Sequence, residues 1–246
     1  MNTSRTVRPR FDPESIRELF DEMSATYGSM NLVTSFGFSA MWRNQVIRRL
    51  PHCKPAHVFD LMSGMGELWR SVSKHLPTTS HLTAIDISPE MVRRAKSDYR
   101  FELKTHVLDV LTRQYQPASA DAIVCSFGLK TFDRDQIAAL AAIVQNLFRP
   151  GGAFSFVEIS VPKVPILRPL YMFYLSYVIP MIGRIFLGNP DNYRMLGIYT
   201  EFFGDCRHFA DCLQSRGLHV EFVTHFFGCA TGVRGIKPND GKSETK

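Results

Sequence analysis

Cysteine is scarce here and badly placed for cross-linking. The five residues, Cys53, Cys125, Cys206, Cys212 and Cys229, are odd in number, form no C-x-x-C pair and fall mostly inside apolar stretches. That argues against a disulfide framework or a zinc site and for a reducing cytoplasm. The histidines have no ligand spacing, so no metal site is expected. A membrane-crossing run is also missing. The longest uncharged apolar stretch, Leu170 to Gly183, holds 14 residues, is flanked by Arg168 and Arg184 and is broken by Pro180; a bilayer needs about 20. Segment 164–188 therefore reads as a buried or interfacial element over an apolar ligand. Residues 1–12 lack the apolar core of a signal peptide, so secretion is not expected. No nucleic-acid-binding motif and no internal repeat is found.

What is present describes one ordinary globular domain. The 246 residues are 45% hydrophobic and 21% charged, a balance that excludes disordered and fibrous classes. The net charge of +6 gathers partly at Arg5, Arg8 and Arg10 and at Arg43, Arg48, Arg49 and Lys54. Weak attraction to anionic surfaces follows, although a solvated tail and helix face is the plainer account.

Asp12-Pro13-Glu14 opens a helix in which Ile16, Leu19, Phe20 and Met23 repeat at helical spacing. From residue 56 short β-rich runs alternate with helical ones: strand 57–62, helix 67–76, strand 81–87, helix 89–98, strands 103–108 and 121–127, helix 134–148 and strand 152–160. This is the pattern of a parallel α/β sheet. Ser88-Pro89-Glu90 caps one helix, and Asp133 with Gln136 forms a capping box. Aromatic, proline-containing chain follows, then helix 205–216 and strands 218–227 and 229–236. The short link at Gly228 requires those two strands to be antiparallel.

The first strand runs through Asp60-Leu61-Met62-Ser63-Gly64-Met65-Gly66-Glu67 into a helix. Gly64 and Gly66 let the backbone turn tightly and approach a ligand, at the strand ends where doubly wound sheets bind nucleosides. A phosphate-binding loop would need Lys-Ser/Thr after the last glycine, where Glu67-Leu68 stand. A pyrophosphate would be repelled by Glu67 in the first helical turn. S-adenosylmethionine (SAM) carries no phosphate, and its ammonium and sulfonium suit a loop edged by Asp60 and Glu67. A glycine turn without a ligand is the alternative. Asp86 ends the second strand 26 positions after Asp60, followed by Ile87; its carboxylate can accept both ribose hydroxyls. Asp109 is placed to bond an adenine amino group, and Val110 to pack on the ring. Ser126 ends the fourth strand, and Lys130 follows as the charged group facing the transferable methyl.

These motifs, in this order, resemble the ubiquinone/menaquinone biosynthesis C-methyltransferases of the UbiE type, a family of class I SAM-dependent methyltransferases. Residues 20–31, with Phe20, Tyr27, Met30 and Asn31, resemble its opening F-x-x-x-A-x-x-Y-D-x-M-N. Ser35-Phe36-Gly37 and Met41-Trp42-Arg43 follow its S-x-G and L-W-(R/K) stretches. Ser126-Phe127-Gly128-Leu129 matches S-F-G-L, and Arg149-Pro150-Gly151-Gly152 its K-P-G-G turn. Pro162, Pro169-Leu170, Tyr174, Pro180 and Asn189 to Leu196 follow its lid. The chain departs from the family at Ser63, Met65 and Glu67, where the loop reads G, T and D, at Gly28 for Asp, and at Lys130-Thr131 for Arg-Asn.

The resemblance implies a Rossmann-like, doubly wound, mostly parallel seven-stranded α/β sheet with a C-terminal antiparallel strand, N-terminal helices and a helical lid. The expected division is an N-terminal helical cap 1–55, a SAM-binding domain 56–236 with a lid insertion 161–204, and a disordered tail 237–246. The cofactor would be held by Asp60, Ser63, Gly64, Gly66, Asp86, Ile87, Asp109, Val110 and Ser126. The implied reaction is C-methylation of a small, apolar, quinol-like aromatic ring. Lys130 would stabilise the phenolate as a fixed cation, helped by Tyr27, Tyr193 and Arg194. Tyr171, Phe173, Tyr174, Tyr177, Phe186 and Tyr193 would exclude water. Alternatives are N- or O-methylation of a heterocyclic natural product or lipid head group, and a SAM-binding regulator without transfer activity. The expected location is cytoplasmic; peripheral contact with a membrane surface and a homodimer are left open.

Overall fold

The computed structural model describes residues 9–51, 54–96, 98–185 and 189–239. Phe186, Cys53 and the end of the expected tail, 240–246, lie outside them.

Three helices precede the sheet: α1 (Pro13–Met23), α2 (Tyr27–Thr34) and α3 (Phe38–Arg48). Asp12 caps α1, its Oδ1 accepting from the Ser15 amide at 2.9 Å, with Pro13 in the first turn where its missing N–H costs nothing. There follow β1 (His57–Leu61), α4 (Trp69–His75), β2 (His81–Asp86), α5 (Pro89–Arg94), β3 (Glu102–Val107) and β4 (Ala120–Ser126). A 3-10 turn at Leu129–Thr131 leads to α6 (Arg134–Leu147) and β5 (Phe148–Ile159). The lid segment folds as α7 (Leu167–Phe173), a π-helical turn (Tyr174–Val178), α8 (Ile179–Ile185) and α9 (Pro190–Phe203); α10 (Arg207–Gln214), β6 (His219–His225) and β7 (Ala230–Ile236) close the chain.

The strands form one sheet of order β3-β2-β1-β4-β5-β7-β6. Every pair from β3 to β5 is parallel, and β7 runs antiparallel between β5 and β6, as the short link at Gly228 requires. The central strands are near-continuously apolar because helices cover both faces. One face buries Phe148, Phe154, Phe156 and Phe209 against α6 and α10. The other buries Trp42, Trp69 and Val72 from α3 and α4. A third cluster, of Met23, Met30, Leu175, Ile179 and Tyr193, joins the N-terminal helices to the lid. Among the described residues no helix is long and apolar enough to cross a membrane.

Most boundaries lie within two residues of the sequence reading, and three departures have a plain structural reason. β5 begins at Phe148 rather than 152, because Ala120 pairs with Phe148 before the register shifts at Ala122. α5 stops at Arg94, since Ala95 is extended. Lys237, counted with the tail, is tied to the sheet: its amide donates to the Gly152 carbonyl and its carbonyl accepts from Gly151, at 2.8 and 2.9 Å.

Candidate active site

Strand order reverses between β1 and β4, the switch point where the connections leave toward opposite faces and a crevice opens at the strands' carboxyl ends. The backbone is strained at both strand ends there. Met62 and Phe127 have φ of 52° and 64°, the left-handed region that side chains other than glycine rarely occupy. The loop after β1 turns through Gly64 and Gly66; at Gly66, with φ of 77°, a Cβ would meet the Trp69 ring at 2.4 Å, so only glycine fits.

Two cavities meet at this crevice. A cleft of about 740 Å³ runs over the ends of β1, β2 and β4, with Gly64, Glu67, Asp86, Asp109, Val110 and Ser126 in its wall. A larger cavity of about 1420 Å³ lies under the lid, walled by Trp42, Tyr171, Tyr174, Leu175, Ile179 and Tyr193 among others. Phe20, Tyr27, Phe127 and Thr131 line both, so these four residues stand between the two spaces.

Asp86 is buried, and burial pushes its carboxyl up to about 6 against the pull of the Ser88 and Gly64 amides. Those amides donate to Oδ1 and Oδ2 at 2.9 and 2.7 Å. A carboxylate has about four acceptor sites, so further donors can still be taken. Ile87, Asp109 and Val110 also line the cleft. Asp109 Oδ1 accepts from the Leu111 amide at 2.9 Å, which fixes the carboxylate at the turn after β3.

Asp60, Ser63 and Gly66 lie behind the cleft wall rather than in it. The Trp69 indole N–H donates to Asp60 Oδ2 at 2.9 Å, while Asp60 Oδ1 and Ser63 Oγ are buried without a partner. Burial pushes the Asp60 carboxyl well above the usual carboxylate range.

Of the residues assigned to the reaction, Tyr27 lines both cavities, and Lys130 and Tyr193 line the larger one. Burial pushes the Tyr27 phenol up, so it stays a hydroxyl at working pH. Tyr193 is fixed by a 2.6 Å hydrogen bond between its hydroxyl and that of Thr26. Arg194 is not brought in: α9 turns Tyr193 inward, and Arg194, one step around the helix, is exposed and lines neither cavity. Lys130 is not a solitary cation. Its Nζ donates to Glu158 Oε1 at 3.0 Å and to the Phe127 carbonyl at 2.8 Å, and its amide donates to Glu158 Oε2 at 3.1 Å.

Two side chains at the site went unassigned by sequence reasoning. Glu158 is fully buried near the end of β5, and its only signal is a carboxylate inside the apolar run Phe154 to Ile159. Arg43, buried on α3, lines the cleft with its guanidinium 4.9 Å from the Phe127 ring centre and 3.5 Å from Glu67 Oε1. Its Nε has no partner.

This donor set fits SAM. The wall is rich in carboxylate, with Glu67, Asp86 and Asp109 against Arg43 alone, and the apolar floor of Ile87, Leu108 and Val110 suits an adenine. The orphaned oxygens of Asp60 and Ser63 sit below the loop that an ammonium group would approach.

A family model described as the ubiE/COQ5 methyltransferase family matches residues 9–237. The chain is 26% identical over 229 residues to a demethylmenaquinone methyltransferase of Lactiplantibacillus plantarum, covering 91% of this chain and 96% of that one. It is 30% identical over 179 residues to a ubiquinone/menaquinone biosynthesis C-methyltransferase UbiE of Geotalea daltonii, 70% of this chain and 75% of that one. Human N-acetylserotonin methyltransferase, solved with SAM, shares the fold at a TM-score of 0.59 and 18% identity over 94% of this chain, which spans 63% of that protein. The plantazolicin methyltransferase BpumL shares it at a TM-score of 0.56 and 13% identity, with 92% and 98% of the two chains covered. With its family match running from the first helix through the lid to the last strand, the chain belongs to the ubiE/COQ5 methyltransferase family and is a SAM-dependent methyltransferase.

Proposed function

We propose that the protein methylates a ring carbon of a small, apolar, quinol-like aromatic acceptor. The observation that carries this reading is the cavity of about 1420 Å³ under the lid, walled by aromatic and aliphatic side chains and sharing Phe20, Tyr27, Phe127 and Thr131 with the cofactor cleft. The relatives named for demethylmenaquinone methylation support the acceptor class. A peripheral contact with a membrane surface, where such acceptors dissolve, belongs to the same reading.

The bound cofactor supplies a methyl group on a positively charged sulfur. Asp86 would accept the ribose hydroxyls, Asp109 the adenine amino group, and Val110 and Ile87 would hold the ring. Gly64 and Gly66 shape the loop, with Asp60 and Ser63 beneath it, and Ser126 closes the cleft beside Phe127. The four residues shared by the two cavities would align the acceptor carbon, which is much of what a displacement at an activated methyl requires.

Tyr27 and Lys130 would donate to the ring oxygen as it becomes phenolate. Two of the three Lys130 Nζ donors are engaged by Glu158 and Phe127, leaving one for the cavity. One proton is released for each methyl transferred: the hydroxyl loses its proton before transfer, and the ring carbon loses its own afterwards as the hydroxyl is restored. Tyr193 positions the lid wall.

The test is methyl transfer from methyl-labelled SAM to a demethylated quinol, a nitrogen heterocycle and an ethanolamine lipid, with the labelled atom identified by mass. Label on the quinol carbon is expected. Label only on nitrogen or oxygen would overturn the acceptor assignment, and tight SAM binding without transfer would favour a regulator.

A further inference from the structure

The lid has two apolar faces, and only one is accounted for. Along the helical run 167–185 the inward side chains Tyr171, Tyr174, Leu175 and Ile179 wall the acceptor cavity. The outward ones, Ile166, Leu170, Phe173, Tyr177, Met181 and Ile185, are 58% to 78% exposed. They recur three or four residues apart, a single helical stripe carried through the π turn at Tyr174–Val178. A stripe of six large apolar side chains on one outer face is the mark of an interaction surface rather than ordinary solvent-facing helix.

Beside this stripe the cavity has an aromatic rim. Phe36 and Phe226 line the cavity and are also 79% and 50% exposed. The Phe36 ring is 6.2 Å from that of Tyr174, and Phe226 is 4.9 Å from Phe38. Phe36, Phe226 and Phe227 hold φ of 49°, 41° and 55°. Three phenylalanines in the left-handed region are strained, and all three rings are exposed.

The two segments that carry the stripe and Phe36 hold charge of one sign, while acids stand on the neighbouring α9 and just after it, at Asp191, Glu201 and Asp205. Residues 161–188 contain Lys163, Arg168 and Arg184 and no aspartate or glutamate; residues 27–51, which include Phe36, contain no acid either. Arg168 and Arg184 stand exposed near the two ends of the stripe, and Lys163 faces Asp205 at 3.6 Å. An apolar stripe edged by arginines, on a helix unable to cross a bilayer, suits a position in the plane of an anionic lipid surface.

We infer that the outer face of the lid, with the Phe36 and Phe226 rim, seats the protein on an anionic bilayer so that the acceptor cavity opens toward the lipid. This rests on the apolar acceptor proposed for that cavity. It assigns the stripe a role that catalysis on a dissolved acceptor would not need.

The test is flotation of the full chain with phosphatidylglycerol/phosphatidylcholine vesicles and with phosphatidylcholine vesicles alone. Compared with the wild type are an outer-face variant, Leu170→Gln with Phe173→Gln and Met181→Gln, and a charge variant, Arg168→Gln with Arg184→Gln. None of the five residues lines either cavity; Phe173 and Tyr177, expected from the sequence to help exclude water, face outward instead. The wild type is expected to float with the anionic vesicles, and each variant to lose about tenfold or more of that partitioning. SAM affinity and transfer to a short-chain, water-soluble quinol are expected to be unchanged, which separates failure of docking from failure of the acceptor assignment. Wild type that stays in the aqueous fraction, or variants that float as it does, would overturn the inference. So would a dimer in sedimentation velocity that the outer-face variant abolishes, because the stripe would then be covered by a second copy.

Discussion

Lys130 and Glu158 form an ion pair at 3.0 Å that is almost wholly removed from water, the lysine 5% exposed and the glutamate 0%. They come from the turn after β4 and the end of β5, neighbouring strands of the sheet. Glu158 Oε1 also accepts from the Ile159 amide at 2.7 Å, so three of about four acceptor sites on the carboxylate are filled, and the ammonium it holds has one N–H left. The pair anchors a donor at the wall of the acceptor cavity, and removing either partner strands the other in an apolar surround.

Glu158→Ala is therefore expected to destabilise the fold by about 3–5 kcal/mol in denaturant unfolding, and Lys130→Met with Glu158→Gln to recover much of that loss. Recovery without turnover would separate the pair's structural role from its chemical one. Lys130→Ala is expected to lower kcat more than SAM affinity; equal losses would place Lys130 in the cofactor site.

SAM affinity should depend on pH through Asp86. Its carboxyl is raised from 3.8 to about 6, so it is ionised and accepting above that pH and protonated below it. Affinity is expected to be level from pH 7 to 8 and to fall by about tenfold per unit below 6. Calorimetric titration checks this, with Asp86→Asn expected to bind at least about tenfold more weakly at pH 7 and to lose the acid limb. A flat profile in the wild type would remove Asp86 from the site.

Tyr27→Phe keeps the ring that lines both cavities and deletes the hydroxyl. Transfer is expected to slow by about tenfold or more while SAM affinity is kept. The rate is also expected to show no titration of this phenol below pH 10, since burial raises it. Steady-state kinetics across pH 6–10 would show whether Tyr27 serves as donor or as base.

The Thr26 to Tyr193 hydrogen bond of 2.6 Å ties the start of α2 to the lid helix α9. Tyr193→Phe is expected to cost about 1 kcal/mol and to raise KM for the acceptor by about fivefold, with SAM affinity unchanged. Thr26→Val should give the same shift, and the double variant no more than either alone. Additive losses would mean that the two hydroxyls act independently.

Local signals in the chain proved legible. Asp60, the Gly64 and Gly66 turn, Asp86 and Asp109 all stand at strand ends, where β–α alternation alone places them, and the brevity of the link at Gly228 dictated the antiparallel pair. Contacts made across the fold were hidden. Glu158 lies 28 residues from Lys130, and nothing in the spacing says that β4 and β5 bring them together. Asp60 was read as edging the loop, and the spacing did not reveal that the indole of Trp69, nine residues on, takes one of its two oxygens. Arg43 looked like one more surface charge until the packing of α3 placed it over Phe127.

The first helix bounds both chambers at once. Asp21 on α1 accepts from the Ser88 hydroxyl at 2.6 Å, while Phe20 beside it walls the cofactor cleft and the acceptor cavity alike. A substitution that loosens this one helix is therefore expected to reach both compartments, so that affinity for cofactor and for acceptor falls together rather than one at a time.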